Sequence, residues 1–111
     1  MTLAISPTHR EIKSVNFSVA AGATDQELVA AVTGKRLRIY SFYITLSVAS
    51  DVTLEDSTPT TILKFKNITS VVLDPVFLGD VDKPASGSGL NIRLDVSGTA
   101  AAEGHIEYVE L

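Results

Sequence analysis

The chain has 111 residues and a mass of 11.8 kDa, a size at which one domain with a single hydrophobic core is expected. It contains no cysteine, which excludes disulfide scaffolds, thiolate metal sites and cysteine nucleophiles. Its 13 acidic and 9 basic residues give a net charge of −4, which argues against a nucleic-acid partner because phosphate neutralisation needs an excess of lysine and arginine.

Residues 1–10 show no hydrophobic periodicity, and we expect them to form an N-terminal arm ahead of a single domain at 11–111. They are too polar for a signal peptide, and no apolar run in the chain approaches the ~20 residues of a membrane-spanning helix. No membrane partner is therefore expected. Val15, Phe17 and Val19 then alternate with polar residues, which predicts a half-buried strand.

Residues 24–32 allow two interpretations. Thr24 and Glu27 fit a capping box, which would begin a short helix. The segment has fewer than ten residues, however, and it runs into Thr33 and Gly34, a pair that suits a two-residue hairpin turn. We favour a strand that continues through this hairpin into the next element.

The longest element is expected at 35–49, where the hydrophobic pattern changes phase. Leu37 and Ile39 lie on one face of the predicted strand. The apolar residues that follow lie on the other face: Tyr40, Phe42, Ile44, Leu46 and Val48. Either a β-bulge at 39–41 shifts the phase, or the strand is covered on both faces. The second interpretation points to a partner subunit, because apolar surface left in water costs about 25 cal/mol per Å².

Further alternating segments with turn residues between them predict strands at 52–54, 63–65, 90–96 and from 105 to the end of the chain. A short apolar run at 71–73 predicts one more. The turns contain Asp56 with Pro59, and Ser97 with Gly98. Seven or eight short strands at this spacing predict an all-β fold, a single small β-sandwich or jelly-roll-like domain.

No pattern in the sequence predicts catalysis or a bound cofactor. In the one long loop, Asp80 and Asp82 could offer oxygen ligands to calcium together with Asp74, but the closing glutamate of an EF-hand loop is missing. His105 and Glu107 share a strand face, yet no Gly-x-Ser-x-Gly motif supplies a serine nucleophile. We therefore expect no enzymatic activity, no metal ion and no cofactor.

Six residues are candidates for an interface with another subunit or another protein. The mean hydropathy of +0.25 fits either an oligomer interface or a core rich in valine and alanine. The only basic cluster could dock an acidic protein surface, although an exposed hairpin corner is the simpler explanation. The candidates are Lys35, Arg36, Leu37, Arg38, Ile39 and Tyr43.

Two stretches of the chain resemble short virion-associated proteins of tailed bacteriophages. The first is 28–39, a strand rich in valine and alanine that leads through Gly34, Lys35 and Arg36 into the next strand. The second joins 89–94 to the closing Gly-His-x-x-Tyr strand at 104–110. The loop at 79–89 departs from the pattern, because it lacks the aromatic residues associated with these proteins.

This resemblance implies a non-enzymatic capsid decoration or cement protein. It further implies a homo-oligomer, most often a trimer, which binds the major capsid protein on the virion surface after synthesis in the host cytoplasm. The alternative is a carbohydrate- or receptor-binding module of a tail or baseplate, which would use Tyr40, Tyr43 or the loop at 79–89.

Overall fold

A computed structural model describes residues 11–22, 24–73 and 84–111. These residues form six strands and no helix, which confirms the all-β prediction. The strands are β1 (Lys13–Val19), β2 (Gln26–Val29), β3 (Leu37–Glu55), β4 (Thr61–Leu73), β5 (Ile92–Val96) and β6 (Ala102–Glu110). Within these ranges no helix is long and apolar enough to cross a membrane. The arm expected at 1–10 lies outside the described residues.

Long strands replace some of the short ones that the sequence predicts. β3 has 19 residues and joins the segments predicted at 35–49 and 52–54, while β4 has 13 and joins those at 63–65 and 71–73. The breaks in alternation that suggested separate strands are register shifts within a continuous β3–β4 pair, the largest between Thr45 and Ser50. The described residues therefore hold six strands where seven or eight were expected.

The six strands form one nearly closed antiparallel sheet. Its order is β1-β6-β3-β5-β2, and β4 pairs with the other side of β3. β6 pairs with β3 over 37–46, and β5 pairs with it over 52–55. We call the part built from β1, β6, the start of β3 and the end of β4 the β6 half. The part built from β2, β5, the end of β3 and the start of β4 is the β5 half.

The hairpin predicted after β2 is wrong, although its turn exists. The amide of Lys35 donates a hydrogen bond to the carbonyl of Val32 over 3.0 Å, and Gly34 adopts a positive φ of 74°. β2 nevertheless pairs with β5 and not with β3. The start of β3 is already paired with β6, whose inward-facing Ile106 lies opposite Phe42. For 24–32, the strand interpretation is confirmed and the helix interpretation is wrong.

The change of phase at Ile39 comes from a β-bulge. The pairing of β3 with β6 shifts register between Ile39 and Ser41, so Leu37 and Ile39 point inward like Phe42 further along the strand. Both side chains are 0% exposed within the single chain. They need no partner subunit to cover them. The prediction that Leu37 and Ile39 lie at an interface is therefore corrected: both belong to the core of the single chain.

The chain itself also encloses the start of β3 along its other edge. The amide of Ile39 donates to the carbonyl of Pro84 over 2.9 Å, and the amide of Ser86 donates to the carbonyl of Leu37 over 3.0 Å. Arg38 pairs with Ala85 across this contact and is only 1% exposed. Arg38 is therefore part of the folded interior and is also removed from the predicted interface.

Three aromatic rings tie the strands of the β6 half to β4. Phe17 of β1 stacks on Phe42 of β3 with ring centroids 6.1 Å apart, and Phe42 stacks on Phe65 of β4 at 6.0 Å. Both distances lie in the favourable range for offset aromatic pairs. Around them the core is aliphatic and includes Ile44 and Ile106, both 0% exposed.

Replacing Ile39 by aspartate should unfold the monomer. A carboxylate without a partner at this fully buried position should lower the free energy of unfolding by at least about 3 kcal/mol. Urea denaturation measures this change. As a control, Val72→Asp places the same charge at a side chain that is 65% exposed and should shift stability by less than about 0.5 kcal/mol. A folded Ile39→Asp protein that only changes its oligomeric state would contradict the buried position.

Candidate functional site

The outer face of the β6 half is the candidate site. Because side chains alternate along a strand, Phe42, Ile44 and Ile106 point into the core while Tyr43 and His105 point outward. The four strands β1, β6, β3 and β4 lie side by side here, so that outward side chains from distant parts of the sequence become neighbours.

One row of cross-strand partners runs over all four strands of this face. Val72 of β4 lies opposite Tyr43 of β3, Tyr43 lies opposite His105 of β6, and His105 lies opposite Asn16 of β1. Tyr43 is 43% exposed and Val72 is 65% exposed. These are two of the four exposed large hydrophobic side chains among the described residues, and here they are direct neighbours. The row therefore has an apolar end on β3 and β4.

Polar side chains on this face are hydrogen-bonded to one another. Nδ1 of His105 lies 2.6 Å from Oδ1 of Asn16. Because an amide oxygen only accepts, Nδ1 is the donor in this assignment. The hydroxyl of Ser41 donates to the carboxylate of Glu107 over 2.5 Å. If a partner covered these groups, they would keep their hydrogen bonds within the chain. The free-energy cost of removing them from water would therefore be reduced.

The Tyr43–His105 pair forms a ridge between two depressions. A cleft of about 610 Å³ lies on one side, and its polar lining includes Asn16, Thr45 and Glu103. A smaller depression of about 220 Å³ lies on the other side. The strands approach closely beneath the cleft, where a Cβ on Gly104 would lie 2.0 Å from the carbonyl oxygen of Tyr43. Only glycine fits this position.

The outer face of the β5 half has a different character, because charged groups dominate it. Arg93 lies 3.5 Å from a carboxylate oxygen of Asp25 and 3.3 Å from one of Glu55. Burial, together with a hydrogen bond to Asp25, raises the pKa of Glu55, and Arg93 opposes that shift. With Asp95 these acids could surround a cation, but the guanidinium of Arg93 already contacts two of the three.

A depression of about 700 Å³ lies at the turn between β3 and β4 and includes Asp56 in its lining. This carboxylate accepts hydrogen bonds of 3.0 Å from the amides of Thr58, Thr60 and Gly87. The hydroxyl of Thr58 donates to it as well. Burial alone would raise the pKa of Asp56, but these hydrogen bonds together lower it to about 2. Asp56 thus joins the turn to the segment that contains Gly87, a structural role.

The basic cluster predicted from the sequence is divided by the fold. Lys35 is exposed at the turn after β2, whereas Arg36 is half-buried and donates to the carbonyl of Ser86 over 3.2 Å. Arg38 lies inside, as described above. Of the six predicted interface residues, Tyr43 alone lies on the outer face of the β6 half.

Sequence reasoning missed the other members of this face. Strand alternation correctly indicates that Asn16 and His105 point away from the core, but it carries no information on which strands become neighbours. The contact between positions 16 and 105 therefore had no local signal. The possible calcium ligands Asp74, Asp80 and Asp82 lie outside the described residues.

Comparison with known proteins gives no relative for this chain. No protein-family model, curated protein or solved structure matches it.

Replacing Asp56 by asparagine should lower the free energy of unfolding at pH 7 by about 1–2 kcal/mol, because the lost charge weakens several hydrogen bonds. A folded-state pKa below the ordinary value stabilises the protein above the unfolded pKa. The wild type should therefore lose this contribution as the pH falls from 3.8 to about 2, whereas Asp56→Asn should not.

Urea denaturation across this pH range measures both effects. Glu103→Gln removes an exposed carboxylate and should change stability at pH 7 by less than about 0.5 kcal/mol. Equal acid sensitivity in the wild type and Asp56→Asn would show that Asp56 does not anchor the turn.

Proposed function

We propose that this chain is a non-enzymatic structural protein of a bacteriophage virion, a capsid decoration or cement protein with a small jelly-roll-like fold. It binds the major capsid protein on the outside of the head as a homo-oligomer, for which we propose a trimer. The resemblance of 28–39, 89–94 and 104–110 to short virion-associated proteins supports this proposal.

The observation that carries the proposal is the outer face of the β6 half. An exposed apolar pair, Tyr43 and Val72, lies beside polar side chains whose hydrogen bonds are already made within the chain. Aromatic residues flanked by satisfied polar groups are typical of surfaces that bind other proteins. A reaction centre instead needs polar groups that are free to act on a substrate.

The hydrogen bonds of this face also support a binding role over hydrolysis. Ser41 donates to Glu107, and His105 pairs with Asn16. A serine–histidine–acid relay needs one histidine between the serine and the acid. Here the serine contacts the acid directly, and the histidine pairs with an amide.

A second candidate function is carbohydrate or receptor binding in a tail or baseplate. The cleft of about 610 Å³ favours it, because Tyr43 offers an apolar ring surface next to the amide of Asn16 and the carboxylate of Glu103. Such a combination suits an uncharged sugar, whose C–H face packs on an aromatic ring while its hydroxyls form hydrogen bonds.

Co-sedimentation with capsids that lack this protein tests the main proposal. The wild type should bind saturably, and Tyr43→Ser should weaken binding at least about tenfold. This holds whether the substitution weakens the contact with the capsid protein or dissociates the oligomer. Ser57→Ala, in the exposed turn of the β5 half, is the matched control and should bind like the wild type.

Electron cryo-microscopy of the intact virion would then locate the protein. Density on the head supports the decoration role, and density confined to the tail contradicts it. A saturable glycan-array signal that Tyr43→Ala abolishes would favour the carbohydrate candidate instead.

A further inference from the structure

We propose that the cleft beside Tyr43 binds the ammonium group of a lysine side chain from a partner protein, with the carboxylate of Glu103 as its main contact. The hydroxyl of Thr45 is a second acceptor, and the ring of Tyr43 packs on the methylene stem of the lysine. The site follows from the geometry of the cleft. The identity of the partner, the major capsid protein, rests on the proposed function.

Outward side chains of β1, β6 and β3 form this cleft as two rows across the three strands. The first row is Asn16, His105 and Tyr43, and the second row is Ser18, Glu103 and Thr45. On an antiparallel sheet, side chains directly opposite one another start about 5 Å apart and diagonal ones about 7–8 Å apart. Glu103 is therefore a direct neighbour of Thr45, and a long side chain that crosses Tyr43 can reach both of them.

The second row differs from the rest of the face because its polar side chains are unpaired. Ser18, Thr45 and Glu103 make no side-chain hydrogen bond or ion pair with any residue that the structure describes. A smaller depression of about 260 Å³ is lined by the same three residues on the side away from Tyr43. The row thus lies between two depressions, and its oxygen atoms are available to a ligand from outside.

The charge of the cleft is set by Glu103, which is exposed and is the only acidic or basic side chain among the described residues that line it, apart from the histidine. Its cross-strand neighbours carry hydroxyl groups. Arg38, near the start of β3, lies roughly 20 Å along the strand from Thr45, beyond the screening length of about 8 Å at physiological salt. Lys13 is paired with Glu110 at the far end of β1. The cleft should therefore attract a cation.

A lysine side chain fits the acceptors and the aromatic ring together. Its ammonium group is a compact charge with three N–H donors, and Glu103 and Thr45 place acceptor oxygens next to each other. The methylene stem of a lysine packs on apolar surface while its charged end stays near an anion. Tyr43, which is 43% exposed, provides that surface. An uncharged sugar would leave the carboxylate without an opposite charge.

Titration with a capped lysine tests the site without a capsid. The probe is Nα-acetyl-lysine methylamide, followed by nuclear magnetic resonance of the isotope-labelled protein. Saturable shifts are expected at the backbone amides of 16–18, 43–45 and 103–105. Capped norleucine has the same stem without the ammonium group and should cause no saturable shift. Capped Nζ-trimethyl-lysine keeps the charge without an N–H donor and should bind at least about threefold more weakly.

Substitutions identify the contacts of the ammonium group. Glu103→Gln keeps the shape of the side chain and should weaken the binding of capped lysine at least about fivefold. Thr45→Val removes the hydroxyl and should weaken it about threefold. Glu107→Gln is the matched control, because this carboxylate lies on the same strand and face but is hydrogen-bonded to Ser41. It should bind capped lysine within about twofold of the wild type. The spectra show whether each variant keeps the fold.

Co-sedimentation with capsids then tests the partner. Glu103→Gln should weaken capsid binding at least about fivefold, and Glu107→Gln should not. Capsids whose surface lysines have been acetylated should bind the wild type equally weakly, because acetylation removes the charge. Binding of capped lysine without any binding to capsids would contradict the proposed function and leave the site in place.

Four results would overturn the inference. Absent shifts with capped lysine, or equal shifts with capped norleucine, exclude a site for an ammonium group. Tighter binding of capped trimethyl-lysine would assign the attraction to the ring of Tyr43 and not to Glu103. Saturable binding of methyl glucoside in place of lysine would favour the carbohydrate candidate. An oligomer that Glu103→Gln dissociates would assign the cleft to a second copy of the chain.

Discussion

The fold depends on β3, which pairs with three other strands along its 19 residues. β4 follows one side of it, while β6 and β5 occupy successive parts of the other side. A strand of this length that kept perfect register would not turn its two ends toward each other. The register shifts between Ile39 and Ser41 and between Thr45 and Ser50 bend it. The bend allows β1 and β2, at opposite ends of the sheet order, to approach and nearly close the sheet.

The sequence therefore predicts the strands better than their arrangement. Segments with clean alternation, such as 15–19 and 92–96, are strands in the structure because one face of each must be buried. The hairpin after β2 was wrong because Thr33 and Gly34 specify a local turn but not the partner of the next strand. Partner choice depends on contacts between residues far apart in the chain, for which a single sequence carries no local signal.

The same limit applies to the candidate site. Tyr43 was named from the sequence, among the interface candidates and as a ring for carbohydrate binding. Its neighbours His105 and Val72 come from strands that follow it by about 60 and 30 positions and became visible only with the sheet register. Arg38 shows the opposite error: its charge suggested an exposed position, but the segment at 84–86 pairs along β3 and encloses it.

The polar groups on the two halves of the sheet are paired in different ways. In the β5 half, Arg93 forms ion pairs with Asp25 and Glu55, and the face carries no adjacent pair of exposed hydrophobic side chains among the described residues. In the β6 half, short hydrogen bonds join polar groups next to Tyr43 and Val72. Under the proposed assembly on a capsid, this face would have to tolerate water before binding and cost little to cover on binding. Internal pairing meets both needs, because the hydrogen bonds survive burial while the two exposed apolar side chains supply the driving force.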